Sequence, residues 1–234
     1  MRALLLAAGL GTRLRPLTET VPKCLVPIRG VPLIDYWFDL LLPNGIERAL
    51  VNTGYLAETV RTHVAASRWR DRIDLVHEDR LLGTGGTVLA NRAWFGADAF
   101  LVAHADNLTR FDAAAFIARH RTRPAGCALT MMTFDTDAPQ TCGIVEEDAR
   151  GVVTAFHEKV AEPPGTRANG AVYIFEPAVL EFIAGLGKPV VDLSTEVLPA
   201  FLGRIATFHN ADYHRDIGNL ESLARAEREF GKGV

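Results

Sequence analysis

The sequence predicts an α/β protein built as one domain, with helices covering the faces of a mixed, mostly parallel central sheet. Three observations carry this reading. Strand-length apolar runs alternate with helical patterns through the first half, and strand-like runs joined by short turns fill the second. The chain of 234 residues, 48% hydrophobic and 23% charged, is long enough to bury a core and has no low-complexity tract or long linker to divide it.

The elements follow in order. Residues 3–8 are wholly apolar but too few for a signal-peptide core or a membrane span, so they form a buried strand. Residues 33–42 have helical spacing, 48–52 read as a strand and 57–65 as a helix; this alternation predicts parallel pairing. A strand at 73–77, a helix at 86–92, a strand at 99–103 and a helix at 112–121 continue it. In such sheets ligands bind at the carboxyl ends of the strands. After Pro124 the runs 127–134, 143–147, 152–158 and 168–175 read as mixed or antiparallel strands, with 148–151 closing a hairpin. A helix at 195–202, a strand at 205–209 and a helix at 220–230 complete the chain.

Charge and cysteine content exclude several functions. Lys plus Arg number 25 against 28 Asp plus Glu, so no global field gathers nucleic acid or an anionic membrane, and any anion site is local. Cys24, Cys127 and Cys142 form no C-x-x-C pair, which argues against a disulfide framework or zinc site and fits a reducing, cytoplasmic compartment.

The richest segment is the turn after the first strand, Ala8-Gly9-Leu10-Gly11-Thr12-Arg13-Leu14-Arg15-Pro16-Leu17-Thr18, followed by Pro22-Lys23. A glycine-rich turn in this place presents backbone N–H groups to an anion, while Arg13 and Lys23 supply counter-charge. A tight turn with solvated cations is the simpler alternative. Leu14 stands where a dinucleotide fingerprint requires a small residue, and no Walker-type loop occurs, so a nicotinamide dehydrogenase and a P-loop enzyme are both disfavoured. Asp106 and Asp216 each follow a β-like run, where a carboxylate suits Mg²⁺ as well as it suits a turn or cap. A second glycine turn spans residues 78–86, and Glu158-Lys159 can accept hydrogen bonds from a diol and meet a phosphate, or simply form an exposed ion pair.

The first turn resembles the signature of the sugar-1-phosphate nucleotidylyltransferases, G-x-G-T-R-L-x-P-L-T followed by P-K, and the resemblance extends to about residue 227. It implies a Rossmann-like nucleotidyltransferase fold, with a nucleotide-binding half over about 1–122 and a sugar-phosphate-binding half over about 123–234. It also implies transfer of a nucleoside monophosphate from a triphosphate to a sugar 1-phosphate, with Mg²⁺ as cofactor, supplying activated sugar for polysaccharide synthesis. Carried onto this chain, the catalytic residues are Arg13, Lys23 and Asp106, and the metal ligands are Asp106 and Asp216. Ala8, Gly9, Gly11 and Thr12, with Gly83 and Thr84 of the L-G-T-G-G turn, receive the nucleotide; Gly143, Glu158, Lys159 and Asn169 receive the sugar phosphate. The chain departs from the family pattern at Cys24, Ala105, Val160 and Asn169-Gly170. The L-G-T-G-G turn and Pro-Lys-Cys-Leu look most like enzymes of GDP-mannose or GDP-heptose synthesis, which points to GTP. Uridylyl- or thymidylyltransferases acting on another, amino, sugar are the alternative, as is a sensing module of the same fold without chemistry. A homodimer is a family-level expectation, and the extra C-terminal β-helix of longer relatives is not expected.

Overall fold

Three strands, Arg2–Leu6, Arg48–Thr53 and Ile73–His77, lie parallel, with Arg2 beside Arg48 and Ala49 beside Ile73. Ala3, Leu4 and Leu5 are fully buried, and Arg48–Thr53 is buried along all but its first residue, as parallel strands covered on both faces require. The helix Leu33–Leu41 buries Leu33, Ile34, Trp37, Phe38 and Leu41, a single apolar face at helical spacing. Its Trp37 indole donates to the carbonyl of Asn107 at 2.9 Å. Asn107–Arg110 and Tyr213–Asp216 form an antiparallel ribbon that places Asp216 opposite Asn107. A capping box of Asn219 and Ser222 starts the helix Leu220–Glu229. Leu14, Leu33, Leu108, Ile217 and Ala226 share one core cluster, so the glycine turn and the ribbon are fixed by the same apolar contacts.

These segments make one of two compact units; among the described residues it comprises 2–81, 104–111 and 212–231. In this computed structural model residues 1–231 are described.

The other unit comprises residues 82–103 and 112–211, together with Met1. Its spine is the strand Arg167–Phe175, antiparallel to Phe100–His104 and Leu129–Asp135 and, through Ala168 beside Ile144, to Gly143–Glu147. The last turns through the expected hairpin into Val153–Glu158, with Gly151 at φ +70° donating its N–H to Asp148 O at 2.9 Å. Ile205–His209 adds a parallel strand beside Leu129–Asp135. Gly83–Ala90, Ala113–Arg121 and Pro177–Gly185 are its longer helices.

The α/β class is borne out, with its parallel pairing concentrated in the first unit and its antiparallel pairing in the second. Two local expectations change. The helix expected at 195–202 is replaced by a wide turn, Leu193–Val197, and a tight one, Leu198–Phe201, because Pro199 removes a donor and its ring opposes a regular helix. The helix expected at 86–92 starts earlier and spans Gly83–Ala90. Among the described residues no helix is long and apolar enough to cross a membrane.

Candidate active site

The first strand ends in a turn whose shape depends on Gly11. Its φ is +62°, and a Cβ there would lie 3.1 Å from both Lys23 Cβ and Thr18 Cγ2. Thr18 Oγ1 donates to the Gly11 carbonyl at 2.8 Å, so the turn rests directly on the segment that carries Lys23. Buried Leu14 anchors the far side, leaving Thr12 and Arg13 exposed. Residues 9–13, with Lys23, Leu81, Asp106 and Gly218, line a cavity of about 280 Å³. At the same strand ends, Ala7 N donates to Asn52 Oδ1 at 2.7 Å, and Asn52 Nδ2 donates to Glu78 Oε1 at 3.1 Å. Neither Asn52 nor Glu78 is conspicuous in the sequence; the signal was their place at the ends of two successive strands.

Lys23 and Asp106 line this cavity, and Asp216 meets Lys23 beside it. Lys23 Nζ lies 2.6 Å from Asp106 Oδ2 and 3.6 Å from Asp216 Oδ1. Ile217 N donates to Asp106 O at 3.2 Å, tying the two acidic segments together through the main chain. Burial works to raise the Asp106 carboxyl, but the Lys23 ammonium, with a smaller contribution from His104, outweighs it and holds the group below its ordinary range. Gly218, which sequence reasoning passed over, makes the cluster sterically possible. A Cβ there would sit 2.7 Å from Asp216 Oδ2 and 3.3 Å from an Arg13 guanidinium nitrogen. The methyl of Ala105 is accommodated in a fully buried position, with its N–H donating to Leu6 O at 3.0 Å. Burial pushes the Cys24 thiol up to about 12, which makes it an inert core residue, and pushes the His214 imidazole down to about 3, leaving it neutral.

A larger cavity of about 360 Å³ lies between the helices Leu33–Leu41 and Ala57–Ala66, but its polar groups are mutually engaged: Asp35 with His63 at 2.8 Å, and Asp39 with Arg68 at 2.6 Å. The smaller cavity is the one lined by the glycine turn, Lys23 and Asp106.

The remaining predicted residues lie in the other unit. Gly83 has φ +73°, and a Cβ on it would meet Val191 O at 2.6 Å, so the L-G-T-G-G turn is shaped for close packing on residues 189–193. Thr84 Oγ1 accepts from Leu193 N at 2.8 Å, which commits its hydroxyl to that contact. Glu158 lies opposite Gly143 in the ribbon, and a Cβ on Gly143 would come within 2.7 Å of Glu158 Oε2. Lys159 Nζ is 3.3 Å from Glu158 Oε1, and its side chain is 64% exposed. Asn169 turns inward: its Nδ2 donates to Tyr173 Oη at 2.7 Å and its Oδ1 accepts from Ala171 N at 2.9 Å, spanning a bulge in the strand. Its side chain therefore shapes the backbone of its own strand.

The profile of the family described as Nucleotidyl transferase matches residues 2–233. The chain belongs to this family. Among curated nucleotidyl transferases it is 31% identical to the mannose-1-phosphate guanylyltransferase of Mycobacterium tuberculosis, over 99% of this chain and 65% of that protein. It is 30% identical to a UTP–glucose-1-phosphate uridylyltransferase of Synechocystis, over 97% of this chain and 63% of that one. The chain thus spans just under two thirds of the length of these relatives. Among solved structures, HddC from Yersinia pseudotuberculosis complexed with GMP-PN superposes with a TM-score of 0.81 at 25% identity, covering 98% of this chain and 99% of that one.

In this member of the family the cavity joins a backbone turn, the cations of Arg13 and Lys23 and the carboxylate of Asp106, with Asp216 3.6 Å from Lys23. Among the described residues no three His, Cys, Asp or Glu side chains gather as a complete metal cage. Asp106 and Asp216 nevertheless direct oxygens at one positive centre. A pair of carboxylates suits Mg²⁺, which commonly takes its other ligands from water and substrate phosphates.

Proposed function

We propose that this nucleotidyl transferase moves a nucleoside monophosphate from a triphosphate, GTP first, to a sugar 1-phosphate, mannose or heptose first, releasing pyrophosphate. The observation that carries the reading is the clustering of Asp106 and Asp216 around Lys23, at the cavity that Lys23 and Asp106 line with the turn bearing Arg13. A sugar-phosphate oxygen attacks the α-phosphorus in line, and the bond to the pyrophosphate oxygen breaks. Both reactants are anions, so acceleration comes from positioning and charge neutralisation, without a covalent enzyme intermediate.

The N–H groups of residues 9–12 cradle the phosphates, with Arg13 and Lys23 neutralising them. Gly83 and the backbone of Thr84 border the base. Glu158, folded over Gly143, accepts hydrogen bonds from sugar hydroxyls, and exposed Lys159 meets the sugar phosphate. Asp106 and Asp216 hold Mg²⁺, which supplies further positive charge to the reacting phosphates. Free Cys24, Cys127 and Cys142 support a reducing, cytoplasmic setting.

The Mycobacterium guanylyltransferase supports guanine, and the Synechocystis uridylyltransferase keeps uracil as the alternative base. The test is a panel of nucleoside triphosphates against several sugar 1-phosphates, read by pyrophosphate release. GTP with mannose or heptose 1-phosphate is expected to give the highest kcat/KM. Triphosphate binding without pyrophosphate from any pair replaces this reading with that of a sensing module.

A further inference from the structure

Lys23 does more than border the cavity: its ammonium occupies the point on which the two carboxylates converge, 2.6 Å from Asp106 and 3.6 Å from Asp216. Its side chain is 8% exposed, against 36% and 57% for the aspartates, so the cation lies deeper than the carboxylates that flank it. We propose that Lys23 is a tethered counter-ion that closes the Asp106–Asp216 pair to a free divalent cation and yields it when a nucleoside triphosphate arrives. This rests on the reading of Asp106 and Asp216 as metal ligands.

The charges argue for such a lock. Lys23 and Arg13 balance Asp106 and Asp216, and a Cβ on Gly218 would touch both Arg13 and Asp216. A divalent ion arriving alone meets an ammonium already hydrogen-bonded to one of its ligands, with no new anion to receive it. A triphosphate brings those anions: its oxygens accept the Lys23 N–H groups as they leave Asp106, and the carboxylates turn to the metal. Lysine suits the exchange, because a compact ammonium on a flexible four-carbon stem can move between partners while its base stays fixed. That base is held in a tight turn in which Val26 N donates to Lys23 O at 3.1 Å, packed so close to Gly11 that a Cβ there would lie 3.1 Å from Lys23 Cβ. The device makes metal and nucleotide binding mutually dependent, each strengthening the other by the same factor.

The experiment titrates Mn²⁺ alone, read by the electron paramagnetic resonance signal of the free ion, into the wild-type protein, Lys23→Met, Lys23→Gln and the double variant Lys23→Met with Asp106→Asn. Circular dichroism identifies the folded variants, and Lys23→Gln decides if Lys23→Met does not fold. Removing the ammonium is expected to tighten Mn²⁺ binding at least tenfold without nucleotide, and Asp106→Asn is expected to abolish the gain. A folded Lys23 variant that binds Mn²⁺ no more tightly than wild type overturns the lock, as does a gain that survives Asp106→Asn. The metal-ligand reading has its own check: it fails if Asp106→Asn alone leaves the Mn²⁺ dependence of pyrophosphate release unchanged. It stands, and only the lock falls, if that dependence is lost while Lys23 variants show no gain.

Discussion

The Lys23 cluster and the Glu158 ribbon handle charge in opposite ways. Lys23, Asp106 and Asp216 come from distant parts of the sequence and clamp one another, with the ammonium almost fully buried. Glu158 and Lys159 are neighbours, and the lysine side chain is 64% exposed. The contrast follows from the chemistry each would serve. Charge that must act on a reacting phosphate is effective when fixed and shielded, whereas sugar hydroxyls are read by acceptors presented on a strand.

The harshest way to break the comparison is Asp106→Asn. It keeps the shape and removes the charge that Lys23 answers, and pyrophosphate release is expected to fall about 10²-fold or more, by analogy with other electrostatic sites. Turnover near that of wild type in a folded variant removes Asp106 from the chemistry.

The two regions also differ in how much the sequence revealed. The G-x-G-T-R run and Pro22-Lys23 were legible because the glycine turn, weak evidence alone, is flanked by residues that match the nucleotidylyltransferase signature, and Asp106 and Asp216 were legible as carboxylates after β-like runs once that match was made. Gly218 was not legible, since its need arises only when the Arg13 and Asp216 side chains meet across it. The pairing of Asn107–Arg110 with Tyr213–Asp216 was equally hidden, because N-L-T-R and Y-H-R-D lack the alternation of a half-buried strand. In the ribbon, Glu158 was readable as an acceptor. The inward turn of Asn169 was not, for it depends on a tyrosine four residues away across a bulge.

Acid sharpens the distinction between site and scaffold. His120 is buried, with Nδ1 2.8 Å from Thr130 Oγ1 and Nε2 3.0 Å from Glu176 Oε1. Burial, and then the Arg123 guanidinium, lower its pKa to about 4 against the partial opposition of Glu176. A base depressed on folding binds its proton more readily when unfolded, so stability is retained above the unfolded value near 6.5 and is lost as pH falls toward 4. The contribution of His120 to the loss from pH 7 to 5 is expected to be about 2 kcal/mol, read as the difference between wild type and His120→Gln in urea melts, with buried His214, lowered to about 3, adding a loss of its own. The Asp106 carboxyl, held below its ordinary range, stays ionised across the same window. If His120→Gln leaves the slope unchanged, the dependence belongs to another group.

Gly143→Ala tests the ribbon through shape. The new methyl would press on the Phe156 ring and on Glu158 Oε2, moving the carboxylate proposed to face the sugar. Steady-state kinetics are expected to show KM for the sugar 1-phosphate rising about tenfold, roughly 1.4 kcal/mol, with KM for the triphosphate nearly constant. Equal rises in both would dissolve the division of labour between the two regions.

Tyr173→Phe gives the smallest effect and the finest discrimination. Tyr173 is fully buried and its hydroxyl receives Asn169 Nδ2, while Asn169 Oδ1 holds the N–H of Ala171, whose φ of +53° is costly for a residue with a side chain. Removing the hydroxyl leaves a partly buried amide short of an acceptor and should cost about 1 kcal/mol of stability. Sugar-phosphate KM should then change less than it does in Gly143→Ala, since Asn169 acts by holding the bulge. If Tyr173→Phe is instead neutral in stability while Asn169→Ala sharply raises that KM, the amide contacts the sugar phosphate itself and belongs with Glu158 among its ligands.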